Sequence, residues 1–142
     1  MVNIHDKSAL EAVTTTDQVV VADGLLNFDT NTVLSGCSIT HIAGSNTVRI
    51  GKRGLYMVAV NVDLTPTAAG DIAIQLLNNG VVVPGALATV TGAAGDTYSL
   101  AFTALVRVLP SCCVIDNTSN LQVQVTAAGT VTNANIVVVK EA

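Results

Sequence analysis

The sequence is poor in charged and aromatic side chains. Charged residues make up 11% of the 142 positions, aromatic residues make up 3%, and tryptophan does not occur. The six Lys and Arg residues are scattered and the net charge is −4, which argues against nucleic acid as a partner, because such proteins concentrate basic residues on one surface. No apolar run approaches the roughly 18 residues of a membrane-spanning helix. We therefore predict neither a nucleic-acid nor a membrane partner.

Cysteine is also scarce, and its pattern does not suggest disulfide bonds. The three cysteines are Cys37, Cys112 and Cys113, an odd number with two adjacent members. The first 13 residues contain no apolar stretch long enough for a secretory signal. Both observations favour synthesis and residence in a reducing cytoplasm.

The residues that could carry chemistry do not form a recognisable site. Cys37 and His41 have a C-x3-H spacing, but a strand directs the adjacent Cys112 and Cys113 to opposite faces, so both rarely reach one metal ion. The ten carboxylates are dispersed, without the cluster that calcium requires. The glycine-rich stretch 91–95 lacks the lysine of a phosphate-binding loop. We predict no catalytic residue, no metal or cofactor site, and no enzyme activity.

What the sequence does contain is a vocabulary typical of strands. Valine and threonine supply 23 and 17 residues, and half of all residues are hydrophobic. Short alternating segments recur with turn signals at intervals of about ten residues, which is typical of a sandwich or jelly roll. We predict an all-β jelly-roll sandwich of about ten strands in residues 19–142. Ser8 to Glu11 has capping-box spacing, so residues 1–18 are predicted as an arm or short helix outside this domain.

The segment GLYMVAVNVDLTP, from Gly54 to Pro66, has two apolar faces if it forms a strand. One face is wholly apolar, whereas the other is apolar at Leu55, Met57 and Ala59 and polar further on. A half-buried strand needs only one apolar face, so the second requires another partner. The candidate sandwich-core residues are Phe28, Tyr56, Val58, Val60, Val62, Ile72, Ile74, Leu76, Leu100, Phe102 and Val137.

Several segments resemble one family in the same order along the chain. Thr47–Ile50 leads through a turn into Gly54–Val58, which is similar to the G-x-Y-x-V core strand of complement-type globular heads. Ile72–Gly80 is similar to the family's long apolar strand followed by an Asn-Gly turn. Residues 97–110 and Asn135–Lys140 are similar to its penultimate long strand and its terminal strand. These heads are trimeric jelly rolls of the tumour-necrosis-factor superfamily.

The bacterial and bacteriophage branch of that family is the most similar. It includes the heads of spore-surface collagen-like proteins and small phage virion proteins, and three segments carry the resemblance: Phe102–Val108, Asn117–Asn120 and Asn133–Lys140. The resemblance implies a homotrimer in which Leu55, Met57 and Ala59 face the threefold axis, although both faces are apolar near Gly54 and the reverse assignment stays open. Two departures from the family are the missing Gly-X-Y stalk and the missing acidic cluster for calcium.

These observations lead to one expectation about function and one alternative. We expect a non-enzymatic structural protein of a bacteriophage virion, a head decoration, head fibre or knob, made in the bacterial host cytoplasm. Its partners would be itself, as a homotrimer, and other virion proteins, with residues 1–18 available for contact with the capsid. The alternative is a receptor- or glycan-binding head of a phage fibre or a spore-surface protein.

Overall fold

The computed structural model describes residues 8–109 and 118–142, which fold as two antiparallel sheets. No helix in this described part of the chain is long and apolar enough to cross a membrane. The strands, numbered in chain order, are β1 (Ala9–Val13), β2 (Gln18–Val20), β3 (Gly24–Leu25), β4 (Thr30–Ser35), β5 (Ile39–Thr40), β6 (Val48–Ile50), β7 (Gly54–Pro66), β8 (Gly70–Asn78), β9 (Val81–Gly92), β10 (Tyr98–Val108), β11 (Ser119–Val125) and β12 (Gly129–Lys140).

The strand order is that of a jelly roll. Sheet A has the order β10-β7-β12-β1-β4, with β2 also paired to β12, and sheet B has the order β5-β6-β11-β8-β9, with β3 also paired to β11. Strands distant in sequence are therefore neighbours, so the first and last described strands meet in the middle of sheet A. The predicted all-β jelly-roll sandwich is confirmed.

The core lies between the two sheets and follows the alternation of the strands. In β7 every second residue from Tyr56 to Leu64 is at most 1% exposed, and the intervening residues lie on the outer face of sheet A. The aliphatic side chains of β8 and β11 cover this layer from sheet B. Ten of the candidate core residues lie in this core, namely Phe28, Tyr56, Val58, Val60, Val62, Ile72, Ile74, Leu76, Leu100 and Phe102.

The eleventh candidate, Val137, lies on the opposite face of its strand. Ile136 and Val138 of β12 are the buried residues, with 1% and 0% exposure, and Val137 pairs with Ala59 on the outer face of sheet A. The run of consecutive apolar residues in β12 hid the phase of its alternation, so the prediction for Val137 was wrong.

Residues 9–13 are a central strand rather than an arm or a helical turn. β1 pairs with β12 on one side and with β4 on the other, and Lys140 N donates to Ser8 O at 2.9 Å. Leu10 and Ala12 are 1% and 0% exposed. The capping-box spacing is overridden because pairing with two strands satisfies the backbone of this short segment on both sides. The expected arm therefore does not include β1, and residues 1–7 lie outside the described part.

Two further strands lie at the edges of the sheets. β4 begins at Thr30 and forms an exposed edge of sheet A. β9 continues past Pro84 to Gly92, which is compatible with proline because β9 is also an edge strand. The predicted tight turn between β8 and β9 is present, with positive φ at Asn79 (52°) and Gly80 (83°). The short apolar segment 112–115 lies outside the described residues.

Candidate subunit interface

The outer face of sheet A carries an apolar surface built from three neighbouring strands. Strand register places Met57 between Leu105 of β10 and Val139 of β12, and places Ala59 beside Val137. Because residues paired across antiparallel strands point to the same side, these side chains form adjacent rows. We call this surface the apolar face, and its members are Leu55, Met57, Ala59, Leu105, Val137 and Val139.

The apolar face ends where polar pairs replace aliphatic ones. Asn61 Nδ2 donates to Asn135 Oδ1 at 3.0 Å across β7 and β12. One pair further along, Ser99 Oγ donates to Asp63 Oδ1 at 2.6 Å across β10 and β7. The change from Ala59 to Asn61 in β7 therefore marks a boundary on the outer face of sheet A. On the Ala59 side the face is apolar and suited to contact with another subunit, and on the Asn61 side it is polar and suited to contact with water.

Side chains of the apolar face are partly or largely accessible in the single chain. Leu105 is 62% exposed, and Leu55, Met57, Ala59, Val137 and Val139 are half-buried by their neighbours in the sheet. Because large contiguous apolar patches are uncommon on monomeric soluble proteins, this surface is a candidate site of association. The three interface residues predicted from the sequence lie together here. Val137, Val139 and Leu105 were missed because only strand pairing places them beside Met57.

A second apolar surface lies at the neighbouring edge of the sandwich. A cavity of about 270 Å³ opens between the start of β9 and β10, with Val81, Val82, Val83, Pro84 and Leu105 among its lining residues. Val81 is 69% exposed and Val82 is 46% exposed. We call Val81, Val82 and Val83 the apolar edge. It adjoins the apolar face through Leu105.

The residues considered for metal binding have other roles in the structure. The ring of His41 is buried, and its Nδ1 and Nε2 contact Asn31 Oδ1 and Ser45 O, so neither nitrogen is available to a metal ion. Lys52 Nζ lies 3.1 Å from Cys37 Sγ on the surface. Among residues 8–109 and 118–142, no group of three or more His, Cys, Asp or Glu side chains could hold a metal ion. Cys112 and Cys113 lie outside these ranges.

Tyr56 lies at the start of β7, at one end of the core and near the apolar face. Tyr56 OH donates to Lys52 O at 2.7 Å, while the ring is fully buried among the aliphatic side chains. Burial raises the pKa of Tyr56 above its ordinary value of 10.0. The phenol therefore stays neutral, and the hydrogen bond to Lys52 O satisfies its buried hydroxyl.

The order of the strands defines the class of fold, a jelly-roll sandwich, and the apolar face gives this sandwich a surface suited to association. Solved structures with this fold include murine APRIL (12% identity, TM-score 0.70, covering 95% of this chain and 99% of that chain). The globular domain of zebrafish complement 1qA has 6% identity and a TM-score of 0.67, covering 92% and 94% of the two chains. The PRD1 vertex protein P5 has 16% identity and a TM-score of 0.64, covering 95% and 97%.

These similarities concern the fold. No protein-family model matches the chain, and no curated protein matches it in sequence. The alignments cover nearly the whole of each chain, so the likeness extends over the complete sandwich and is not limited to a shared hairpin.

Proposed function

We propose that this protein is a non-enzymatic structural module that forms a homotrimer and belongs to a bacteriophage virion. The observation that carries the proposal is the apolar face, which places aliphatic side chains of β7, β10 and β12 at an accessible surface. Burying one large aliphatic side chain completely is worth about 1.5–3 kcal/mol, so several half-buried ones together favour association.

The apolar edge favours a ring over a face-to-face pair. In a face-to-face dimer the apolar face of one subunit meets the same face of the other, and this contact does not require the apolar edge to be covered. In a closed ring the apolar face of one subunit contacts the apolar edge of the next, so both surfaces are buried in every subunit. A threefold ring of this kind agrees with the homotrimer that the family resemblance implies.

Assignment to a virion rests on two kinds of likeness. The segments Phe102–Val108 and Asn133–Lys140 resemble the bacterial and phage branch of the family, and the fold is shared with the PRD1 vertex protein P5. The partners would be other virion proteins. If residues 1–18 contact the capsid, the side chains of Leu10 and Ala12 would take no part in the contact, because they are buried in the sandwich.

The mass in solution tests the oligomeric part of the proposal. Light scattering at micromolar concentration is expected to give three times the chain mass of 14.5 kDa. A monomer at that concentration would contradict it.

The genes that surround the coding sequence test the virion part separately. Capsid, portal or tail genes beside it would support a virion component. Spore-coat genes in their place would support the alternative spore-surface head.

A further inference from the structure

Half of the basic residues of this acidic protein line one cavity. The cavity holds about 400 Å³ and lies where β7 begins and where β10 and β12 end. Arg53, Arg107 and Lys140 line it, out of six Lys and Arg residues in the whole chain. The rest of its described lining is Gly54, Leu55, Val108, Leu109 and Ala142.

Strand pairing brings these three residues from distant positions in the sequence to one end of sheet A. Arg107 of β10 pairs with Leu55 on the outer face, whereas Lys140 of β12 pairs with Tyr56, whose ring points into the core, so the two residues line the cavity from opposite faces of the sheet end. Arg53 directly precedes β7. The end of the chain is held beside them, because Leu55 N donates to Ala142 O at 3.1 Å and Glu141 N donates to Leu55 O at 2.7 Å.

Gly54 makes room for one of the cations. A Cβ at this position would lie 3.0 Å from Lys140 Cε and 2.6 Å from Ala142 O, so the lysine stem passes directly over the glycine. Gly54 also has a φ of 151°, which side chains rarely adopt. Substitution there would displace the lysine stem and the main chain at Ala142 together.

The three cations have no partners within the described chain. Neither Arg53, Arg107 nor Lys140 makes a side-chain hydrogen bond or ion pair with residues 8–109 or 118–142. No aspartate or glutamate side chain is among the described residues lining the cavity, and the α-carboxylate of Ala142 is outnumbered there by the three cations. Three like charges around one concave surface repel one another, and an anion of higher valence bound between them relieves that repulsion.

We infer that this cavity binds a small organic polyanion that carries phosphate or carboxylate groups. Two guanidinium forks can each hold an oxyanion through paired N–H donors, and the ammonium adds a third charge. The volume lies in the range of small-molecule pockets and exceeds what a bare phosphate ion fills. Leu55, Val108 and Leu109 give the carbon skeleton of the ligand an apolar wall. All of these residues come from one chain, and the site adjoins the proposed subunit contact, because Leu55 belongs to the apolar face and Arg107 also lines the cavity at the apolar edge.

Calorimetric titration of the full chain with citrate and, separately, with inorganic phosphate tests the inference. Ionic strength is held constant with sodium chloride, so that general screening does not change between points. We expect saturable binding of at least one probe with one site per chain. Saturation by citrate alone identifies carboxylates as the preferred group, and saturation by phosphate alone identifies phosphates. If neither probe saturates, the inference is wrong.

Matched variants locate the binding. Arg107→Gln and Arg53→Gln each remove one cation from the cavity and should weaken binding by about tenfold, the effect of losing a charge-assisted hydrogen bond. Arg49→Gln removes an equivalent exposed charge from β6, outside the cavity, and should leave binding unchanged. Circular dichroism verifies that each variant is folded. An equal loss in Arg49→Gln and in the two cavity variants would overturn the inference, because it would show attraction to overall charge instead of a site.

Discussion

At the scale of single residues, the carboxylate of Asp29 joins two segments in the first part of the chain through hydrogen bonds. Thr15 N donates to Asp29 Oδ2 at 2.9 Å, and Thr30 Oγ1 donates to Asp29 Oδ1 at 2.8 Å. The backbone hydrogen bond from Thr15 and the hydroxyl of Thr30 lower the pKa of Asp29 below its ordinary value of 3.8. The charged carboxylate thus links the segment after β1 to the start of β4.

Asp29 should make a measurable contribution to the loss of stability at acid pH. Because its pKa is lower in the folded state than in the unfolded state, its stabilisation is present above pH 3.8 and is lost as the pH falls through the folded-state pKa. We expect Asp29→Asn to lower stability at neutral pH and to show a smaller further loss between pH 4 and the acid limit. Denaturant unfolding of both proteins across this range measures the difference. Parallel acid profiles would contradict this assignment.

At the scale of secondary-structure elements, β1 is the part of the fold whose role differs most from its sequence pattern. It lies between β12 and β4 in sheet A, with Leu10 pointing into the core. The residue paired with Leu10 across the sheet is Leu34 of β4, which is 50% exposed. The two leucines are paired across the strands but differ in burial, because Leu10 is buried and Leu34 is accessible.

This pair allows a direct test of the position of β1. Leu10→Ala should lower the free energy of unfolding by about 2–5 kcal/mol, because it deletes buried methyl groups and leaves a cavity. Leu34→Ala makes the same chemical change at an accessible position and should cost less than about 1 kcal/mol. Urea unfolding of the two variants measures both values. Equal small costs would place β1 outside the core, as in the arm predicted from the sequence.

At the scale of the whole molecule, the two apolar surfaces determine how subunits would associate. Met57→Asp places a carboxylate in the apolar face, and Val82→Asp places one in the apolar edge. If the face of each subunit meets the edge of the next, either variant leaves charges in a dry contact, at a cost on the order of several kcal/mol per assembly. Each variant alone is therefore expected to lose the trimer.

Mixing the two variants distinguishes a ring from other arrangements. The edge of a Met57→Asp subunit and the face of a Val82→Asp subunit are both intact, so one contact can form between them and the ring cannot close. Sedimentation of an equal mixture should show a dimer that neither variant forms alone. Val60→Asp, in the core, should fail to fold and serves as the contrast. A trimeric Met57→Asp protein of unchanged stability would show that the apolar face is not in the interface.

The local order of apolar and turn residues was sufficient to predict the long strands from the sequence. β7 spans Gly54–Pro66, the limits read from the sequence, because every second residue from Tyr56 to Leu64 is apolar and the segment ends at a proline. The turn at Asn79 and Gly80 followed from residues that tolerate positive φ. The same pattern was ambiguous in β12, where consecutive valines are compatible with either phase, and misleading in β1, where five residues also suit a helical turn.

The sequence by itself determined the class of fold, because composition and alternation act within a few residues of one another: β-branched side chains, apolar residues at every second position and turn residues between them. The tertiary structure decided which surfaces exist. Met57 lies beside Val139 and Leu105, and Arg53 lines one cavity with Arg107 and Lys140, only through pairing between strands far apart in the chain. Register between distant strands depends on the packing of the whole core, and no local segment contains that information.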